Sequence, residues 1–148
     1  MSRRDSRILA LNALFCWEVG KIEPDEYFRV LESEADQTNR AYLGDIGYAR
    51  SLVEAVISNV CKIDDLIGQV SKGWAVSRMP RADLCIIRLA YAEALILRSA
   101  PIEVVLNEAI ELSKDYGSHA SPSFVNGVLV SVFTKSGWSQ EGADRYNK

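Results

Sequence analysis

Leu84-Cys85-Ile86-Ile87-Arg88-Leu89-Ala90-Tyr91-Ala92-Glu93-Ala94-Leu95-Ile96-Leu97 is the most apolar stretch of the chain, and its reading decides the fold. Apolar residues fall on nearly every side of a helix drawn through it, as expected of a central helix packed by neighbours all round. Arg88 and Glu93 interrupt it. In such a helix they must emerge at an edge or pair internally. The run is shorter than the roughly 18 apolar residues that would suggest a membrane span.

Working outward, Met79-Pro80 precedes this element and Pro101 ends it. Beyond Pro101, Ile102, Val105, Leu106, Ala109 and Ile110 follow helical spacing until Gly117. Ser121-Pro122 reads as N-cap and first turn of a last helix. Its buried face is Phe124, Val125, Val128, Leu129, Val132 and Phe133, and Gly137 ends it. Toward the N-terminus, residues 63–72 form a short helix with Asp64 and Asp65 near its positive end. Asn39 caps a longer one striped by Tyr42, Ile46, Ala49, Val53, Val56, Ile57 and Val60. Another starts near Pro24 and runs to about residue 35. In the first helix Ser2 and Asp5 have capping-box spacing, Ile8, Leu11, Leu14, Phe15 and Val19 share a face, and Gly20 is the stop. Strand signals are nearly absent. The expectation is an all-α chain of about seven helices, one domain over residues 1–137, with 138–148 a flexible tail.

Composition suits a globular domain: 148 residues, 48% hydrophobic and 25% charged. Asn12 and Glu18 interrupt the apolar stretch behind the basic start, so no signal peptide or membrane segment is expected and the protein should stay in the cytoplasm. Cys16, Cys61 and Cys85 are scattered without a CxxC pair. That argues against a disulfide framework or a zinc site, and each is expected on the apolar side of a helix. His119 is the single histidine and is expected in an exposed loop. The acidic pairs Asp64–Asp65 and Glu108–Glu111 are read as a helix-start pair and a solvated face. Phosphate-loop, dinucleotide and nucleophile-elbow motifs are missing. The chain reads as a binder, not an enzyme, with no catalytic residue, metal or cofactor assigned.

Net charge is −3, so the molecule as a whole is no attractor of nucleic acid. Its distribution is uneven. Arg3, Arg4 and Arg7 against Asp5 make the first helix basic, and Lys72, Arg78, Arg81 and Arg88 against Asp83 make a second basic island. Three arginines at a helix N-terminus oppose the helix dipole, and with free N–H groups they suit phosphate. Arginine also stacks on unpaired bases.

Residues 101–112, then Lys114-Asp115-Tyr116-Gly117, then Ser121-Pro122-Ser123-Phe124-Val125-Asn126-Gly127-Val128-Leu129 resemble the C-terminal signature of the NusB transcription antitermination family. Ile86-Ile87-Arg88-Leu89-Ala90, with Asp83 before and Glu93 after, is similar to its central-helix signature, and Arg3-Arg4, Arg7 and Ala13-Leu14-Phe15 to its arginine-rich first helix. The resemblance implies two packed three-helix bundles. It implies binding of single-stranded boxA-type RNA from ribosomal RNA leader transcripts, and a heterodimer with NusE, a ribosomal protein that doubles as a transcription factor. Through that complex it implies contact with other Nus factors and RNA polymerase, and it leaves a homodimer open. Arg3, Arg4 and Arg7 would take the RNA backbone, with Ser123, Phe124 and Asn126 beside them. Arg81 and Asp83 would face the protein partner. Structural roles are expected for Asn126, as a hydrogen-bonding residue, and Gly127, as a close-packing position.

This chain departs from the family pattern in places. Ser123 stands where a lysine is usual, Leu84 where a basic residue is usual and Val130 where an aspartate is usual, and Tyr91-Ala92 alters the aromatic placement before Glu93. Weaker RNA binding is expected from the first. Two alternatives remain: a helical protein–protein adaptor without RNA, and a relative of the N-terminal domain of ribosomal RNA cytosine methyltransferases. Gly127 fits the antitermination branch better than the latter, and nothing after Trp138 would supply a cofactor domain.

Overall fold

Ser2 starts the first helix as its spacing predicts. Its hydroxyl accepts from the Asp5 amide, and the Asp5 carboxylate accepts from the Ser2 amide. In the computed structural model, residues 2–38 and 46–139 are described, the side chains of 35–38 excepted. Among them lie seven α-helices and no strand: α1 (Arg3–Gly20), α2 (Pro24–Thr38), α3 (Ile46–Ser58), α4 (Val60–Val70), α5 (Arg81–Tyr91), α6 (Ile102–Tyr116) and α7 (Ser121–Lys135). Asn39 and Tyr42, assigned to the third helix, fall outside the described residues, as do 140–148.

Helix α1 packs on α2, α3 and α5, and α5 packs on α6 and α7. This makes one bundle of α1–α3 and another of α5–α7, with α4 lying against α5 and α7. From Leu84 to Ala94 every residue of the central stretch is buried, which is why its hydrophobicity has no preferred face. The stretch is not one regular α-helix. At Ala92–Ile96 it widens into a π-helical turn, a local irregularity often found at functional sites.

Several local expectations change. The left-handed residue closing α1 is Lys21 (φ 56°), not Gly20. The third helix breaks at Asn59, whose side-chain amide donates to the Ala55 carbonyl at 2.8 Å, so Val60 opens α4 instead. Phe15 and Val19 are 41% and 52% exposed, and α1 buries Ala10, Leu11, Ala13 and Leu14. Cys85 is buried but Cys61 is exposed. Trp138, read as the start of the tail, is held: its ring meets Phe133 edge-on and its indole N–H donates to Glu103 at 3.0 Å. No helix among the described residues is long and apolar enough to cross a membrane.

Candidate nucleic-acid interface

The first turns of α1 carry the three arginines, and folding gives each a different environment. Arg7 is buried. Its Nε and Nη2 donate to the two Glu93 oxygens at 2.7 and 3.0 Å. The Tyr48 hydroxyl donates to the same carboxylate and lies 2.8 Å from the Ser99 hydroxyl. Burial and then the Glu93 carboxylate raise the Tyr48 phenol above its ordinary range. Arg4 is exposed, and its Nε and Nη2 each donate to Glu108 on α6 at 2.9 Å. Those bonds hold the Glu108 carboxyl below its usual range. Arg3 lies over the Tyr48 ring at 3.8 Å and donates to the Ser99 carbonyl at 3.2 Å.

Arg7 therefore does not sit at the surface as a phosphate contact. The basic island is neutralised by two glutamates distant in sequence, and only Arg3 and Arg4 face solvent. The π turn places Glu93 for this. Just beyond it, Ser99 donates to the Glu93 carbonyl at 3.2 Å and Arg98 takes a left-handed backbone with φ 52°. That conformation is uncommon for a side chain larger than glycine.

A second ionic cluster ties the other end of α1 to α5. Arg88 donates to Asp64 at 2.9 and 2.7 Å and to Glu18 at 2.9 Å, so it pairs internally. Burial would raise the Glu18 carboxyl, but bonds from Arg88 and Arg81 outweigh it and hold Glu18 below its usual range. Arg81 also donates to the carbonyls of Val76, Ser77 and Met79, tying down the turn before α5. Asp83 is not on the surface as the resemblance implies. It is 3% exposed, with Oδ1 buried and unpartnered, in the first turn of α5 where the helix dipole favours a carboxylate.

The third group lies at the start of α7. Ser121 is the first helical residue, and its hydroxyl accepts from the Ser118 amide at 2.8 Å. This tight turn requires Gly117, where a Cβ would come within 2.4 Å of the Ser121 hydroxyl oxygen. Phe124 is half-buried and meets Trp74 at a ring-centroid distance of 5.7 Å. Ser123 and Asn126 are exposed, and the Asn126 side chain has no hydrogen-bond partner among the described residues. Gly127 is not a close-packing position: a Cβ there meets nothing within 4 Å. No hydrogen bond or ion pair among the described residues joins this group to the arginines of α1. His119 is exposed, and no group of three or more possible metal ligands occurs among the described residues.

Tyr48, Trp74, Glu93 and Glu108 belong to these surroundings and were not singled out as site residues from sequence. Glu93 had a signal, since an acid inside an apolar helix needs a partner. Trp74 had another, as an aromatic in a turn behind Gly73.

A family model, the NusB family, matches residues 4–133. The chain belongs to the NusB family. A transcription antitermination protein NusB from Pelotomaculum thermopropionicum is 39% identical over 129 residues, covering 87% of each chain. Among solved structures, T. maritima NusB matches with TM-score 0.75 and 34% identity over 91% of this chain and 92% of that one. A crystal structure of antitermination factors NusB and NusE in complex with double-stranded RNA matches with TM-score 0.76 and 26% identity, over 90% and 96%. The NusB fold, two three-helix bundles, is the one described above.

Proposed function

We propose that this chain is a transcription antitermination factor that binds boxA-type RNA together with a NusE ribosomal protein and acts on elongating RNA polymerase without catalysing a reaction itself. The family match over residues 4–133 carries this reading, and a NusB structure with NusE and RNA supports both partners. A factor bound to a nascent bacterial transcript works in the cytoplasm. Arg3 and Arg4 are the arginines in a position to reach RNA phosphates, and Ser123, Phe124 and Asn126 form a second contact region. Arg7 acts through Glu93, fixing the end of α1. The proposed contact for the protein partner is the start of α5, through the partly exposed Arg81. The Asp83 carboxylate is buried there and would act only by holding that first turn.

One observation favours the adaptor reading: Glu93 and Glu108 cancel charge that RNA binding would use. Titration of labelled boxA-type RNA, with and without NusE and at two salt concentrations, separates the two. Salt-sensitive binding that tightens with NusE is expected. NusE binding with no RNA binding in either arm leaves the adaptor.

A further inference from the structure

Between the end of α4 and the start of α7 lies a shallow groove of about 230 Å³, lined by Val70, Lys72, Trp74, Phe124 and Gly127. It is smaller than the roughly 300–1,000 Å³ of a drug-sized pocket and suits one planar ring system. Trp74 is 51% exposed, unusual for the largest apolar side chain. Its ring and that of Phe124 are inclined at 63°, so they form two walls of a notch instead of one platform. A ring lying flat on Trp74 would present its edge to Phe124. Gly127 leaves the space beside them open. Lys72 is exposed at the rim and has no ion-pair partner among the described residues.

An aromatic face beside an uncommitted cation is the combination that holds single-stranded nucleic acid: the base stacks and the neighbouring phosphate meets the charge. We propose that Trp74 and Lys72 form a stacking subsite for one unpaired RNA base and its adjacent phosphate. This rests on the RNA-binding reading above and adds two residues to it. An apolar side chain of a protein partner would find the same walls but would make no use of Lys72, and the cation decides for RNA. Arg4 and Arg7 of α1 are compensated by Glu108 and Glu93, whereas Lys72, like Arg3, has no carboxylate partner among the described residues. In this chain the subsite therefore supplies attraction where Ser123 supplies none.

The test is titration of a labelled single-stranded boxA-type RNA, and of the same strand annealed to its complement, into wild type, W74F, W74L and K72A. Circular dichroism checks that each variant is folded. RNA should quench tryptophan emission in wild type but much less in W74F, which keeps a ring and most of the affinity. W74L should weaken single-strand binding about tenfold and duplex binding far less. K72A should lower the salt slope by about 0.7. Unchanged affinity and quenching in folded W74F and W74L, with RNA still bound, overturn the subsite and leave the RNA-binding reading standing. RNA failing to bind wild type overturns both. Loss of NusE binding in W74L with RNA binding intact assigns the groove to protein instead.

Discussion

Arg7 and Glu93 meet inside the molecule through two hydrogen bonds of 2.7 and 3.0 Å, their side chains 7% and 2% exposed. Each satisfies a charge that the interior would otherwise not tolerate. Replacing Arg7 with methionine strands the Glu93 carboxylate and should cost about 3–5 kcal/mol, whereas replacing both residues with apolar ones should recover most of it. Urea unfolding of the single and double variants measures this. Equal losses in both would show that the pair is worth no more than its packing.

If Arg4 takes RNA phosphate as proposed, Glu108, which holds its guanidinium through two hydrogen bonds, would compete with RNA for it. Glu108→Gln should free the Arg4 guanidinium, tighten RNA binding at low salt and steepen the salt slope by up to about 0.7, one more phosphate contact. Anisotropy titrations at several salt concentrations read both. A weaker complex would mean that Glu108 holds Arg4 in its binding pose.

Acid should loosen the clamps. Glu18 and Glu108 titrate below the ordinary value of 4.5 in the folded chain. Their stabilisation is therefore complete above about pH 4.5 and is lost as pH falls through the lower folded values. The stability gap between wild type and Glu18→Gln should stay constant near neutrality and shrink in that acid window. Chemical unfolding at a series of pH values shows whether it does.

The cysteines should react in order of exposure. Cys61 is exposed, Cys16 half-buried and Cys85 buried, and burial pushes the Cys85 thiol up to about 12. A thiol reagent at pH 8 should modify Cys61 first and Cys85 only on unfolding. Mass spectrometry of the modified peptides follows the order.

Gly127 sits exposed inside α7, where a Cβ has open space. Gly127→Ala should stabilise the fold by about 0.5–1 kcal/mol, measured by thermal or urea unfolding.

Helix number, order and most of the buried faces were legible because each rests on local spacing, as the stripe from Val125 to Phe133 illustrates. The arginine site was less so. A charge tally along α1 sees Asp5 but not Glu93 or Glu108, which lie 86 and 104 residues from their partners and reach them only through tertiary packing. Phe15 and Val19 misled for a related reason: periodicity marks an apolar face but not which part of it a neighbour covers. Asn59 broke a stripe that hydrophobicity alone would have continued, because its side chain satisfies the Ala55 carbonyl.

The two ionic clusters along the central stretch, Arg88 on α5 and Glu93 in the π turn that follows it, have opposite polarity. Near its start α1 offers an arginine to Glu93, and near its end it offers a glutamate to Arg88. The two helices are thus keyed like a plug with unlike pins. Docked the other way round, Arg7 would face Arg88 and Glu18 would face Glu93, two like-charge pairs in a poorly solvated interior. The same contacts that secure the arginine end of α1 fix the direction in which the first bundle joins the second.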